Sequence, residues 1–170
     1  MSDPKQATTP YVDALLAYSQ LDPGRFQVPG HKGGLGADPA MRALVGDVGL
    51  RNDIPSVTEG VDIGPEPTPF QQAQLLAAEA WGARRSWFLI NGASQGNHAT
   101  MMALAQMGRE AVVQRNVHSS VIDGLVLSGM RPTFVAPEID PELGIAHGLT
   151  PASLEAALVA TPNAVAALVV

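Results

Sequence analysis

The chain has 170 residues, of which 46% are hydrophobic, and it carries a formal net charge of −6 at pH 7. These values fit one domain of ordinary size, or one part of a larger protein, and argue against disorder. Cysteine is absent, which excludes disulfides, thiolate catalysis and cysteine-based zinc sites. The acidic balance, without a basic cluster, argues against nucleic acid as a partner.

Neither end of the chain predicts a membrane or secretion segment. Residues 1–10 are polar, and the longest apolar run, AVAALVV at residues 164–170, is too short to cross a bilayer. We therefore expect a cytoplasmic protein with no membrane partner. Because a domain rarely ends inside a buried strand, we also expect this sequence to be part of a longer chain.

The first 67 residues are predicted to form a helix followed by an extended arm. Helical spacing of apolar residues predicts a helix over 10–20, which the LDPGR segment at 21–25 ends. Residues 26–67 are rich in glycine and proline and show little periodicity. Such a segment is either functional, for example lying across another subunit, or simply a flexible arm, and the sequence does not decide between these.

From residue 68 onward, helices and strands alternate. Thr68 and Pro69 are typical of a helix start, and Gly82 of a helix end. The predicted helices are 70–81, 98–107, 121–128 and 151–159, and the predicted strands are 86–90, 111–114, 132–136 and 165–170. This alternation predicts an α/β fold with a mainly parallel sheet flanked by helices. We therefore divide the chain into 1–67 and 68–170.

Two turns are predicted to lie at the carboxyl edge of that sheet, where ligands bind in such folds. The first, NGASQGN from residue 91, has small residues that leave amide groups open to an anion such as phosphate, with the Ser94 hydroxyl as a further donor. An ordinary strand-to-helix turn is the alternative. The sequence lacks both the dinucleotide fingerprint and the nucleotide P-loop.

The second turn, RNVHSS from residue 115, places His118 where it could stack on a flat ring or move protons. The alternative is a histidine that bonds a nearby backbone group at a helix start. The histidines at 31, 98, 118 and 147 lack the spacing of a helical metal site, so no metal is predicted.

Five segments together resemble one enzyme family. FQVPGHKGG, DIPSVTEGVD, AQLLAAEAWGA, FLINGASQGN and RNVHSS occur in this order between about residues 26 and 120. In this order they resemble the pyridoxal-phosphate-dependent ornithine/lysine/arginine decarboxylases, and the resemblance extends from about residue 11 to 170. It implies the N-terminal part of a fold type I (aspartate-aminotransferase-like) large domain, preceded by a helical and irregular arm.

The resemblance implies roles for particular residues. The family's Asn-Gly turn holds the phosphate of pyridoxal 5'-phosphate, which corresponds to Ala93, Ser94 and Gln95, and its histidine stacks on the pyridine ring, which corresponds to His118. The substrate region corresponds to three arm residues, namely His31, Lys32 and Glu59. Two positions depart from the family, which usually has a hydroxyl residue in place of Ala93 and a lysine in place of Ser119.

The resemblance leaves the catalytic residues unknown. In the family, the lysine that forms the Schiff base lies in a later Ser-x-His-Lys motif, and the aspartate that pairs with the pyridine nitrogen also follows, so both are expected beyond Val170. Lys32 precedes the sheet, and we expect it to be a loop residue near the site or simply a solvated lysine. The 170 residues alone are expected to be inactive.

The implied activity is decarboxylation of ornithine, lysine or arginine to the amine, as in polyamine and amino acid metabolism, by a homodimer or higher homo-oligomer. Asp53, Glu59 and Asp62 are candidates for contact with the distal cation of this small-molecule substrate, or are solvated loop charges. The alternatives are another fold type I enzyme, such as an aminotransferase or carbon–sulfur lyase, and a non-catalytic remnant that dimerises or binds the cofactor. The sequence does not specify which basic amino acid is used.

Overall fold

A computed structural model describes residues 4–21 and 23–169. The chain divides into two compact units, Met1–Phe88 and Leu89–Val170, which are taken separately below. The domain boundary expected between residues 67 and 68 stays a prediction. Within the described residues, no helix is both long and apolar enough to cross a membrane.

The first unit is helical. Its long helices are α1 (Pro10–Gln20) and α4 (Pro69–Ala80), and its short ones are α2 (Pro39–Val45) and α3 (Asp47–Asn52). Two short 3-10 helices, Pro4–Ala7 and Lys32–Gly34, complete it. Helix α1 has the predicted bounds. The segment 21–25 was predicted to end it, and one residue of that segment, Asp22, lies outside the described residues.

The expectation that residues 26–67 lack regular structure is wrong for α2 and α3. Helix α2 begins because the Asp38 carboxylate accepts a hydrogen bond from the Ala40 amide at 2.8 Å, with Pro39 at the first helical position. It ends at Gly46, whose φ of 81° favours glycine. Helices of six or seven residues are too short to show a clear period of 3.6, which explains why the pattern does not reveal them.

Helix α4 confirms the start that the sequence predicts. The Thr68 hydroxyl accepts from the Gln71 amide at 3.3 Å, and the Gln71 side chain accepts from the Thr68 amide at 2.9 Å, so two backbone donors are satisfied reciprocally. The helix packs against α1. Phe70 stands between Tyr11 and Phe88 in edge-to-face contacts, with ring centroids 5.5 and 5.7 Å apart.

The second unit contains the parallel sheet that the sequence predicts. Its strands are β1 (Glu110–Gln114), β2 (Arg131–Val135) and β3 (Ala164–Leu168), and all pairs are parallel in the order β2-β1-β3. Four of the five residues of the central strand β1 are buried. Apolar residues on consecutive positions fit a strand that is covered on both faces.

Three helices accompany these strands, two of them as connections between strands and one before β1, and their positions agree with the sequence except at one start. They are α5 (Gly92–Leu104), α6 (Ser119–Ser128) and α7 (Pro151–Ala160). Helix α5 begins at Gly92 rather than at His98, so most of the predicted turn is helical. Nothing in Ala93, Ser94 or Gln95 breaks a helix once Gly92, at a φ of 64°, has turned the chain.

The strand predicted over residues 86–90 is wrong for the structure described. A strand is stabilised by hydrogen bonds to a neighbour, and within residues 4–21 and 23–169 no segment pairs with this one. Trp87, Phe88, Leu89 and Ile90 are all exposed. Apolar composition alone therefore identified a strand-like sequence without supplying its partner.

The core of the second unit lies between the sheet and the helices α5 and α6. It consists of Met101, Ala111, Val113, Val121, Leu125 and Met130. The two helices approach closely at Gly124, where a Cβ atom would lie 2.7 Å from Met101 Cγ and 3.3 Å from the Asn97 carbonyl oxygen. Because Met101 is 1% exposed, its side chain has no free space into which to move.

Substitution Gly124→Ala is expected to destabilise the protein by about 1–2 kcal/mol, since overpacking against Met101 outweighs the higher helix propensity of alanine. Gly148→Ala is the matched control, because a Cβ there meets no atom within 4 Å. Chemical denaturation followed by circular dichroism measures both variants. Equal stability of the two would contradict the tight contact at Gly124.

Candidate functional site

The amino ends of α5 and α6 point in the same direction. Asn97 Nδ2 of α5 lies 2.7 Å from Ser120 Oγ of α6, and one helical turn later Met101 meets Gly124. Both pairs have the same separation of 23 positions, so the two helices run parallel. Helix α5 begins five residues before Asn97, whereas α6 begins one residue before Ser120. The amino end of α5 therefore extends four residues, roughly 6 Å, beyond the amino end of α6.

The first turn of α5 is open to a ligand. Among the described residues, no side chain caps this helix, whereas Asp38, Thr68, His118 and Thr150 each cap theirs. The Gln95 side chain instead accepts from the Asn91 amide at 3.1 Å, which secures the entry of the chain. The first amides of a helix have no partner within the helix, so this end presents donors and a positive dipole to an anion.

His118 caps α6. Its Nδ1 accepts a hydrogen bond from the Ser120 amide at 3.2 Å and lies 2.8 Å from Ser120 Oγ. This is the backbone contact that the sequence left open as an alternative to ring stacking. The residue is nevertheless exposed, so the cap fixes the ring without covering it.

The turn between β1 and α6 is held at its base by polar contacts that begin at the buried Gln114. Gln114, which is 1% exposed, donates to Asn116 Oδ1 at 2.7 Å. The Arg115 amide donates to the Val135 carbonyl at 2.8 Å. The guanidinium of Arg115 lies 5.1 Å from the centroid of the Phe134 ring. These bonds determine where the chain leaves the sheet and hence where His118 stands.

In the first unit, His31 and Lys32 are held by the arm itself. His31 Nε2 lies 3.0 Å from Asp53 Oδ2, and its buried Nδ1 has no hydrogen-bond partner among the described residues. The Lys32 ammonium donates to the Phe26 carbonyl at 3.2 Å and also to the Gln27 carbonyl. Lys32 has a φ of 51°, which is uncommon for a residue with a side chain.

Glu59 and Asp62 lie on one tight turn. The buried Thr58 anchors it, because its carbonyl accepts from the amides of residues 61, 62 and 63 and its hydroxyl donates to the Pro55 carbonyl at 2.8 Å. Glu59 is exposed. Burial, and to a smaller extent the negative charge of Asp62, raise the pKa of the Tyr11 phenol above its ordinary value.

The structure brings the predicted residues of the second unit to one end of a helix pair, whereas it shows no contact between Glu59 and either His31 or Lys32 of the first unit. Ala93, Ser94 and Gln95 lie on the first turn of α5, at the same end of the helix pair as His118. His31, Lys32 and Glu59 belong to the first unit. No group of three or more potential metal ligands occurs among the described residues.

Sequence reasoning missed Asn97 and Ser120, which connect the two helices. Both were regarded as ordinary helix or turn residues, and only their contact across 23 positions gives them a role. The cap itself uses only the backbone amide of Ser120, which any residue but proline would supply, so the serine side chain was no signal for it. Nothing in the sequence indicated its partner Asn97.

Comparisons with known proteins show the family to which the chain is similar. The family model for Orn/Lys/Arg decarboxylase, major domain, matches residues 9–170. An arginine decarboxylase of Halalkalibacterium halodurans is 39% identical over 166 residues, and one of Bacillus subtilis is 38% identical over 165. These alignments cover 98% and 97% of this chain, and the chain spans 34%, about a third, of each relative.

A solved structure gives the same fold. Lysine decarboxylase A from Pseudomonas aeruginosa matches with a TM-score of 0.74 and 26% identity, over 92% of this chain and 22% of that one. The predicted α/β class and the resemblance drawn from the five segments are both confirmed. With 162 consecutive residues matched by the family model, the chain belongs to the Orn/Lys/Arg decarboxylase major-domain family.

Proposed function

We propose that this chain belongs to an enzyme that uses pyridoxal 5'-phosphate to decarboxylate ornithine, lysine or arginine to the corresponding amine. The observation that carries the proposal is the pair of parallel helix ends, one uncapped at α5 and one capped by an exposed imidazole at α6. Family membership and the names of the relatives, which are arginine and lysine decarboxylases, support it.

The residues of α5 fit a phosphate group. A phosphate needs several donors, and the first amides of α5 have no described side-chain acceptor. A Cβ on Gly92 would meet no atom within 4 Å, so the space beside this turn is open. In the proposal, the amides of Ala93, Ser94 and Gln95 and the half-buried Ser94 hydroxyl hold the phosphate.

The imidazole of His118 fits one face of an aromatic ring. Because Nδ1 is occupied by the cap, the side chain is held in one orientation, while the exposed ring surface remains available for stacking. In the proposal, His118 restricts the position of the pyridine ring, and the α5 turn fixes its phosphate end. Pyridoxal phosphate, when bound, supplies the electron-withdrawing ring that stabilises the negative charge left on the α-carbon as carbon dioxide departs.

Neither lysine of this chain is suited to carry the cofactor. Lys5 pairs with Glu79 at 2.6 Å, and the Lys32 ammonium is bound by two carbonyls of its own arm. We propose that the lysine, and the aspartate for the pyridine nitrogen, come from outside these 170 residues. Lys32 then acts as a structural residue of the arm.

For the distal cation of the substrate, we propose Glu59, with Asp62 as a second carboxylate on the same turn. Glu59 is exposed and has no described side-chain partner, whereas Asp53 already faces His31. Carboxylates attract the side-chain cation that ornithine, lysine and arginine share. This does not distinguish among the three substrates.

We further propose a cytoplasmic homodimer or higher homo-oligomer. Apolar side chains of the arm are exposed, with Phe26 at 95%, Leu35 at 87% and Leu44 at 84%. Exposed apolar surface of this kind is typical of protein–protein contacts and supports assembly through the arm.

The activity is tested on the complete gene product. Incubation with L-arginine, L-lysine or L-ornithine is expected to release carbon dioxide and one equivalent of amine in the presence of pyridoxal phosphate, and His118→Ala is expected to lower this rate by about 10-fold or more. Formation of a keto acid without carbon dioxide, when a 2-oxo acid is added to accept the amino group, would indicate an aminotransferase instead. Binding of the cofactor without turnover of any amino acid would indicate the non-catalytic alternative.

The phosphate contact is tested by Ser94→Ala. Loss of one hydrogen bond to a charged group is expected to weaken binding of pyridoxal phosphate by about 10- to 100-fold. Binding of pyridoxal, which lacks the phosphate, should be unchanged. Ser128→Ala, at the opposite end of α6, is the control, and equal losses for both ligands in the Ser94 variant would argue against a phosphate site.

Lysine reactivity tests the role of Lys32. After incubation with pyridoxal phosphate and reduction by borohydride, peptide mass spectrometry is expected to show only sparse labelling of Lys32, because its ammonium must leave two carbonyl acceptors. Stoichiometric labelling confined to Lys32 would make the arm a carbonyl-reactive site. Lys32→Arg identifies the background signal.

A further inference from the structure

We propose that Asn97 is a positioning residue that acts through Ser120 to hold the imidazole of His118 with its proton on Nε2. The hydrogen-bond chain runs from Asn97 Nδ2 to Ser120 Oγ at 2.7 Å and from Ser120 Oγ to His118 Nδ1 at 2.8 Å. The inference rests on the proposed function for the role of His118 beside a cofactor. The hydrogen-bond chain itself involves only residues of this protein.

The donor and acceptor roles within this hydrogen-bond chain follow from the groups that can only donate. The Ser120 backbone amide points at His118 Nδ1 from 3.2 Å, and an amide N–H cannot accept, so Nδ1 carries no proton. A neutral imidazole then carries its proton on Nε2. With Asn97 donating to Ser120 Oγ, the hydroxyl hydrogen is left to point at Nδ1 as a second donor.

Burial makes this arrangement rigid. Ser120 is 2% exposed, so its hydroxyl has no solvent to bond in place of Asn97 and His118. The close approach at Gly124 brings the α5 backbone near α6, and this lets the short side chain of Asn97 reach across. An alanine at 97 would leave a buried hydroxyl without its donor, which is unfavourable in a dry site.

The consequence for the site is a ring with one available donor. Because Nδ1 is committed to Ser120, only Nε2–H and the ring faces of His118 are available to a bound molecule. A single protonation form and a single ring plane are what stacking beside a cofactor requires. Asn97 contributes without touching the cofactor, from five residues inside the helix that holds the phosphate turn.

Asn97→Asp reverses the hydrogen-bond chain at nearly constant shape. A carboxylate only accepts, so the Ser120 hydroxyl is expected to turn towards residue 97 and present a lone pair to His118. Nuclear magnetic resonance of the 170-residue chain labelled with ¹⁵N-histidine distinguishes the ring forms without any cofactor. The expected result is a measurable rise in the fraction of His118 protonated on Nδ1, because only the Ser120 amide then still donates to this nitrogen.

Asn91→Asp is the matched control, since it adds the same charge to the same helix where no side-chain bond reaches α6. Ser120→Ala removes the link, so adding Asn97→Asp to it should leave the His118 signals as in Ser120→Ala alone. An unchanged His118 pattern in Asn97→Asp overturns the proposal. An equal change of the His118 signals when Asn97→Asp is added to Ser120→Ala also overturns the proposal, because the new carboxylate charge would then act through space rather than through Ser120.

If Asn97→Asp does not fold, Asn97→Ala replaces it in the same comparison. It should lower the Nε2–H fraction of His118 only when Ser120 is present. In a second arm, Asn97→Ala is expected to weaken pyridoxal phosphate binding about two- to tenfold, the net effect of one hydrogen bond. The nuclear magnetic resonance experiment, done without cofactor, tests the hydrogen-bond chain. Decarboxylation by the unaltered protein tests the proposed function. Either claim can therefore be contradicted while the other holds.

Discussion

The close approach of α5 and α6 at Gly124 is the constraint on which the geometry of the second unit depends. A side chain at this position would collide with Met101, so glycine determines how near the two axes can come. That separation places Asn97 within reach of Ser120 and keeps both helix ends at one side. The core beneath, built from Ala111 and Val113 of the central strand, holds the pair against the sheet.

The two helix ends differ in a way that suits two different parts of one ligand. Helix α6 has a side-chain acceptor for its amides, and that acceptor is the imidazole itself, so capping and ring orientation are one interaction. Helix α5 has no such acceptor among the described residues, and its amides stay open to an anion. An imidazole at the α5 end would compete with the phosphate that we propose there, and without the cap on α6 His118 would be free to rotate.

Local chemistry made much of the fold predictable. The reciprocal bonds of Thr68 and Gln71, and the bond from the Ser153 amide to Thr150, arise from residues three positions apart, so the sequence displays them directly. The alternation of predicted helices and strands along the chain led to the prediction of parallel strands. The strand expected at 86–90 shows the limit, because its apolar character is local but its stabilisation requires a partner elsewhere.

The candidate site shows the same difference between local features, which the sequence predicts, and contacts between distant residues, which it does not. Ser94 and His118 belong to segments whose composition and family resemblance predict a ligand, so the sequence alone was enough to propose them. The link from Asn97 to Ser120 joins residues on different helices, and no spacing rule predicts a contact set by a glycine on the second helix. Lys32 gives the converse case: its sequence setting suggests an activated amine, yet the fold directs the ammonium to two carbonyls of its own arm. Composition therefore identifies which groups are available for chemistry, whereas tertiary contacts decide which of them are free to perform it.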